Sequence, residues 1–176
     1  MSENQPVRHI IQSIRRPLVN TVWLDELKRT SRKKYQDAFI FDTQRPSLNV
    51  VTKASLRAVS GLTYKELQSV HKALPESFNE ELEVETTGLS YFGGRKGGVL
   101  MVRLATDPRV ISEHQAAMTA LEAHGIGPDD DSFGLSIGVG HVNLPEAATK
   151  NIAQLALGDI LPPVVTIGPG SIPTRK

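Results

Sequence analysis

Phe133-Gly134-Leu135-Ser136-Ile137-Gly138-Val139-Gly140-His141-Val142-Asn143-Leu144 is a glycine-rich apolar stretch broken by one polar His-x-Asn step. It reads as a short strand with small residues beside the histidine. Residues two apart in a strand share a face, so His141 and Asn143 are expected to point the same way. The glycines leave room for a ligand or a second backbone to come close. A partial echo lies upstream in Pro46-Ser47-Leu48-Asn49, also in a strand context. If the two strands pair, Ser47, Asn49, His141 and Asn143 face one cleft.

The rest of the chain alternates around these two strands. Residues 1–17 read as a loose arm or short helix ended by Pro17. Residues 20–36 read as a helix capped by Asn20 or Thr21, with Trp23, Leu24 and Leu27 at apolar spacing. Strands are expected at 38–41 and 48–52, separated by a Gln44-Arg45-Pro46 turn. A capping box, Thr63 with Glu66, opens a helix that carries Leu67, Val70 and Leu74 and stops at Pro75. Strands at 81–90 and 98–105 flank the polar hairpin Gly93–Gly98. Asp107 and Pro108 start a helix over 108–124 that Gly125 closes. After the 133–144 strand come a helix near 146–157, a strand Val164–Ile167 and a loose tail from Gly168.

This order predicts an α/β (α+β) fold of antiparallel or mixed sheets with interspersed outer helices. The expected organisation is a basic arm and helix over 1–37, one domain over 38–168 and a tail over 169–176. At 176 residues the chain is long enough to bury a sizeable core. It has no cysteine, which excludes disulfides and thiolate metal sites. No apolar run approaches the roughly 20 residues of a membrane span. The polar start, Met1-Ser2-Glu3-Asn4-Gln5-Pro6, lacks a signal-peptide core. A cytoplasmic protein without membrane partners is expected. Net charge is only +1. Yet Arg8, Arg15, Arg16, Lys28, Arg29, Arg32, Lys33, Lys34 and Arg45 all precede residue 46, so residues 8–45 offer contacts to nucleic-acid phosphates. A solvated helix face accounts for the same charges.

The ordered elements and the two strand motifs resemble the 2H phosphoesterases, which include bacterial RNA 2′,3′-cyclic phosphodiesterases. In that family two lobes each give a His-x-Thr/Ser strand motif to a central cleft, the first commonly after a proline. Pro46-Ser47-Leu48-Asn49 stands at the first motif. The helix at 63–74 and Gly88-Leu89-Ser90-Tyr91-Phe92-Gly93 follow in order. Gly98–Leu104, Pro108–Gly125 and Gly140-His141-Val142-Asn143 then match the family's strand, helix and second motif. The resemblance covers roughly residues 38–167 and lies in element order more than in residue identity.

The resemblance implies a two-lobed fold around a central cleft that takes a cyclic nucleotide or an RNA-end phosphate, with no cofactor. His141 matches the second histidine, and Ser47 replaces the first. Asn49 and Asn143 replace the Thr/Ser hydroxyls that hold phosphate oxygens. Opening a cyclic phosphate needs one group to take a proton from water and another to give one to the leaving sugar oxygen. Two imidazoles do both near pH 7. Serine is no ordinary base, while asparagine amides still donate to phosphate oxygens. The implied protein binds such a phosphate and hydrolyses it slowly, with His141 and Ser47 as the catalytic pair. Arg45, Arg95 and Lys96 are expected rim contacts. The alternative is a non-catalytic protein- or RNA-interaction module acting through the basic N-terminal region, with His141 a structural strand residue.

Other motifs carry less. His114 and His124 are ten residues apart, unlike a helical ligand pair at four, and Asp129-Asp130-Asp131 after Gly127-Pro128 reads as a loop, so no metal is expected. The glycines at 93–98 precede a strand and lack the phosphate-loop Gly-Lys-Ser/Thr. His71 reads as a surface helix residue, and no Gly-x-Ser-x-Gly elbow is present.

Overall fold

The computed structural model describes residues 7–35, 39–51, 61–94, 97–126, 133–142 and 158–175. Its strands are β1 (Ile10–Ile11), β2 (Ile14–Pro17), β3 (Phe39–Phe41), β4 (Ser47–Val51), β5 (Leu82–Gly94), β6 (Gly97–Leu104), β7 (Ser136–Val142), β8 (Val164–Ile167) and β9 (Thr174–Arg175). The helices are α1 (Val22–Tyr35), α2 (Tyr64–Ala73) and α3 (Pro108–Glu122). Asn143 and the helix expected near 146–157 lie outside the described residues.

Six strands run in the order β2-β4-β7-β6-β5-β8, and β3 adds to β7. Every pairing among the described strands is antiparallel. The sheet curls until its ends meet: Leu18 bridges Ile167, Val19 N donates to Thr166 O at 2.9 Å, and Gly168 N donates to Pro17 O at 2.7 Å. β3 and β4 do not pair with each other. They share one edge of β7, with Phe39–Phe41 opposite Val142–Gly140 and Leu48 opposite Ile137. The expected 44–46 turn is therefore part of an excursion, Asp42–Pro46, alongside the middle of β7. Asp42 N ties its start to Val139 O at 3.1 Å.

Both chain ends depart from expectation. Ile10–Ile11 and Ile14–Pro17 are strands rather than a loose arm or helix, because Ile11 and Ile14 are buried and β2 hydrogen-bonds along β4. The tail is tied down as well. Thr174 and Arg175 pair with β1, Ile172 is buried, and Ser171 bridges Arg15. The core forms two buried clusters. One joins Leu24 and Leu27 of α1 to Leu48, Leu100, Val102, Ile137 and Ile167. The other joins Val70 of α2 and Leu121 of α3 to Ile14, Val50, Val51 and Phe78.

The helix starts follow local chemistry. Thr63 and Glu66 form the reciprocal capping box: Glu66 N donates to Thr63 Oγ1 at 3.3 Å, and Thr63 N donates to Glu66 Oε2 at 2.8 Å. Asp107 caps α3 by accepting from Arg109 N at 2.9 Å, with Pro108 in the first turn. The Arg109 guanidinium, 2.8 Å from the Asp107 carboxylate, holds that carboxyl below its ordinary pKa. Its folded pKa lies below the unfolded one, so the cap stabilises the protein above about pH 4 and is lost as pH falls through the folded value. Asp107→Ala is expected to cost about 1 kcal/mol at pH 7. In urea melts the gap from wild type should close on acidification. A gap that stays constant to below about pH 3 argues against the charged cap.

Candidate functional site

A one-residue irregularity in β7 sets the site. β6 pairs Leu100 with Gly140 and Met101 with Gly138, leaving Val139 as an extra residue in β7. Strict alternation from the buried Ile137 would turn residue 141 inward with it. The bulge resets the phase, so Gly140 and Val142 are buried and His141 is exposed. Across the ladders, His141 stands opposite Val99 of β6 and Ile40 of β3.

The same face carries a polar row across four strands. Arg15 is opposite Asn49 in β2–β4. The Leu48–Ile137 register puts Asn49 beside Ser136, and Ser136 is opposite Arg103 of β6. One step along, Ser47 lies opposite Pro17 and, by that register, beside Gly138. Cross-strand partners share a face. Ser47 and Asn49 thus meet β7 at Gly138 and Ser136, and His141 sits further along the same strand.

An open depression of about 510 Å³ lies over this point. Ser47, Asn49 and Gly138 line it from the strands, and Arg15 from β2. The Asp42–Pro46 excursion supplies its wall, including Arg45. Two guanidinium groups against the single carboxylate of Asp42 suit an anion. The carboxylate also reaches the histidine, with Asp42 Oδ1 3.8 Å from His141 Nε2 and both side chains well exposed. At that distance the two form an exposed contact longer than a hydrogen bond, which places the imidazole next to the wall of the depression. A Cβ at Gly138 would meet only Val99 Cγ1, at 3.6 Å. The protein's own packing does not demand glycine there, and its bare backbone leaves the floor of the depression open.

Of the residues expected at the site, Ser47, Asn49 and Arg45 are brought together, and His141 joins them through Asp42. Asn143, Arg95 and Lys96 lie outside the described residues. Arg15 and Asp42 were not anticipated as site residues. Arg15 sat in a basic run, and only the β2–β4 register separates it from Arg16. Arg16 points the other way and is fully buried against Glu113, Nε to Oε1 2.7 Å. His114 is also structural: its Nδ1 lies 2.7 Å from Val50 O and its ring stacks on Phe133 at 3.9 Å. Among the described residues no group of three or more His, Cys, Asp or Glu side chains is placed to hold a metal, and no helix is long and apolar enough to cross a membrane.

No protein-family model and no curated protein matches the sequence. Solved structures do. Usb1 from Kluyveromyces marxianus aligns with a TM-score of 0.52 at 11% identity, over 96% of this chain and 99% of that one. The chain has the fold of Usb1. A second Usb1 structure, with uridine monophosphate, aligns at a TM-score of 0.49 and 9% identity, over 93% of this chain and 98% of that one. Among the described residues, that fold is the curled antiparallel sheet with helices α1, α2 and α3.

Proposed function

We propose that this protein is a divergent member of the 2H phosphoesterase group that binds the phosphate of an RNA end or a 2′,3′-cyclic nucleotide in the Ser47–Asn49–Gly138 depression. The observation that carries the reading is the β4–β7 register. It sets Ser47 and Asn49, the matches to the first motif, against the glycine-rich middle of β7 on an open face that also bears His141. The Usb1-like fold agrees with the two-lobed architecture that the resemblance implies.

The donors suit a phosphate. The Asn49 amide, the Ser47 hydroxyl and the guanidinium groups of Arg15 and Arg45 all offer N–H or O–H bonds to its oxygens. His141, 3.8 Å from Asp42, is the imidazole near them. In the hydrolysis of a cyclic phosphate it takes the proton of the attacking water. The leaving sugar oxygen must then draw its proton from solvent, because Ser47 stands where a second imidazole would act. The site accordingly binds well and turns over slowly.

Calorimetry with uridine 2′,3′-cyclic monophosphate tests the binding, and phosphorus NMR tests the turnover. Asn49→Ala is expected to weaken binding about tenfold, the worth of one hydrogen bond to a charged group. His141→Ala is expected to abolish residual hydrolysis and change affinity by less than about threefold. Hydrolysis that survives His141→Ala removes the proposed base. Absence of binding by the wild type removes the site.

A further inference from the structure

We infer that the site takes the end of a single-stranded RNA rather than a free mononucleotide, and that the preceding nucleotide lies on a shelf between α1 and β3. This inference rests on the phosphate site proposed above and extends it.

The shelf is a second depression of about 320 Å³, bounded by Lys28 and Arg32 of α1 and by Phe39, Ile40 and Phe41 of β3. Asp42 and Thr43 line both this shelf and the phosphate depression, so the two adjoin at these residues. Their chemistry differs. The phosphate depression is walled by polar side chains, whereas the shelf joins an apolar strand to two cations. Lys28 and Arg32 are one helical turn apart and project from the same side of α1. Neither takes part in an ion pair among the described residues.

Ile40 gives the apolar part its meaning. It is 51% exposed in the middle of a strand whose neighbours Phe39 and Phe41 are buried and half-buried. It stands directly opposite His141 in the β3–β7 ladder, so the two side chains lie next to each other on one face. The exposed Ile40 gives a base an apolar surface beside the phosphate site, and Lys28 and Arg32 then stand near the phosphate that precedes it. Asp42, between the two depressions, repels a phosphate. The chain is therefore expected to pass its sugar and base there and to place its phosphates on either side. This use of the surface also explains where the N-terminal charge goes. Arg16 is buried in the core and Arg15 lines the phosphate depression, while Lys28 and Arg32 face the shelf.

The test compares uridine 3′-monophosphate with a fluorescently labelled uridine hexanucleotide carrying a 3′-phosphate, on the full chain and its Lys28→Gln/Arg32→Gln variant. The wild type is expected to bind the hexanucleotide more tightly. The variant should lose about 25-fold for it at about 0.1 M salt, and its log K against log salt slope should fall by about 1.4, the release of two counterions from a single strand. Affinity for the mononucleotide should be unchanged. Lys72→Gln on α2 serves as the charge control and should alter neither. If the variant binds the hexanucleotide as the wild type does, the shelf is wrong and the phosphate site stands. If both ligands weaken equally, the cations act as a general field and the subsite is again wrong. If the wild type binds neither ligand, the phosphate site fails and the shelf with it.

Discussion

Glu113→Ala is expected to cost about 3–5 kcal/mol, the penalty for stranding a buried cation. That is a large share of the roughly 5–15 kcal/mol that holds a domain folded. Arg16 and Glu113 are both fully buried. Arg16 uses all five of its N–H donors. Nε donates to Glu113 Oε1 at 2.7 Å and Nη2 to Oε2 at 3.1 Å. Nη1 donates to the carbonyls of Glu80 and Gly168, at 2.8 and 2.9 Å, and Nη2 also donates to Ser77 O. Ser77 Oγ donates to Glu113 Oε2 at 3.1 Å. One guanidinium therefore joins β2, the turn at 76–80, α3 and the residue after β8. With the carboxylate gone, the charge has no compensation and water has no easy path to it.

A second variant separates the cost of breaking the pair from the worth of having it. Arg16→Met with Glu113→Leu removes both charges and keeps apolar volume, so it should lose less than Glu113→Ala alone. The carbonyls of Glu80 and Gly168, left without the Arg16 donor, keep it below wild type. Urea denaturation reads both. If Glu113→Ala melts within about 1 kcal/mol of wild type, the bridge is not the clamp its geometry describes. Binding at the phosphate site should fall along with stability, because Arg15, adjacent in β2, is held in place by the same strand.

What the sequence made legible was local, and what it hid depended on register. Thr63 with Glu66 and Asp107 with Pro108 act within four residues of themselves, and the caps follow directly from the residue types. The Arg16–Glu113 bridge spans 97 positions and joins an arginine of the basic N-terminal stretch to a glutamate of α3. Its one trace is period-two: Ile14, Arg16 and Leu18 alternate, and all three are buried. The N-terminal strands were missed for a related reason. Arg8, Arg15 and Arg16 made that segment look solvated, although the apolar positions between them pair with β4 and β9. The site divides in the same way. That Ser47 and Asn49 share a face follows from strand geometry, whereas the outward turn of His141 depends on a bulge at Val139 that no spacing rule foretells.

Gly140→Ala is expected to cost about 3 kcal/mol, at the upper end of overpacking losses, because the obstacle is backbone. A Cβ there would collide with Ile40 O and lie 2.9 Å from Phe41 Cα. No rotamer change relieves either contact. β3 must leave β7, or β7 must lose the bulge. The first frees Ile40 and the Asp42 end of the wall, and the second turns His141 toward the core. Gly138→Ala, two residues away, should behave in the opposite sense. Its Cβ meets only Val99 Cγ1 at 3.6 Å, so stability should stay within about 0.5 kcal/mol of wild type. The added methyl instead rises from the floor of the depression beside Ser47, where a phosphate oxygen would approach, and affinity for the cyclic nucleotide should fall. Urea melts and calorimetry on the pair give the answer together. A stable Gly140→Ala protein with intact β3 amide protection contradicts the close packing of β3 on β7. A Gly138→Ala protein that binds as the wild type does places the phosphate away from this floor. If Gly138→Ala loses affinity at unchanged stability while Gly140→Ala loses stability, the first glycine of this strand serves the site and the second the fold.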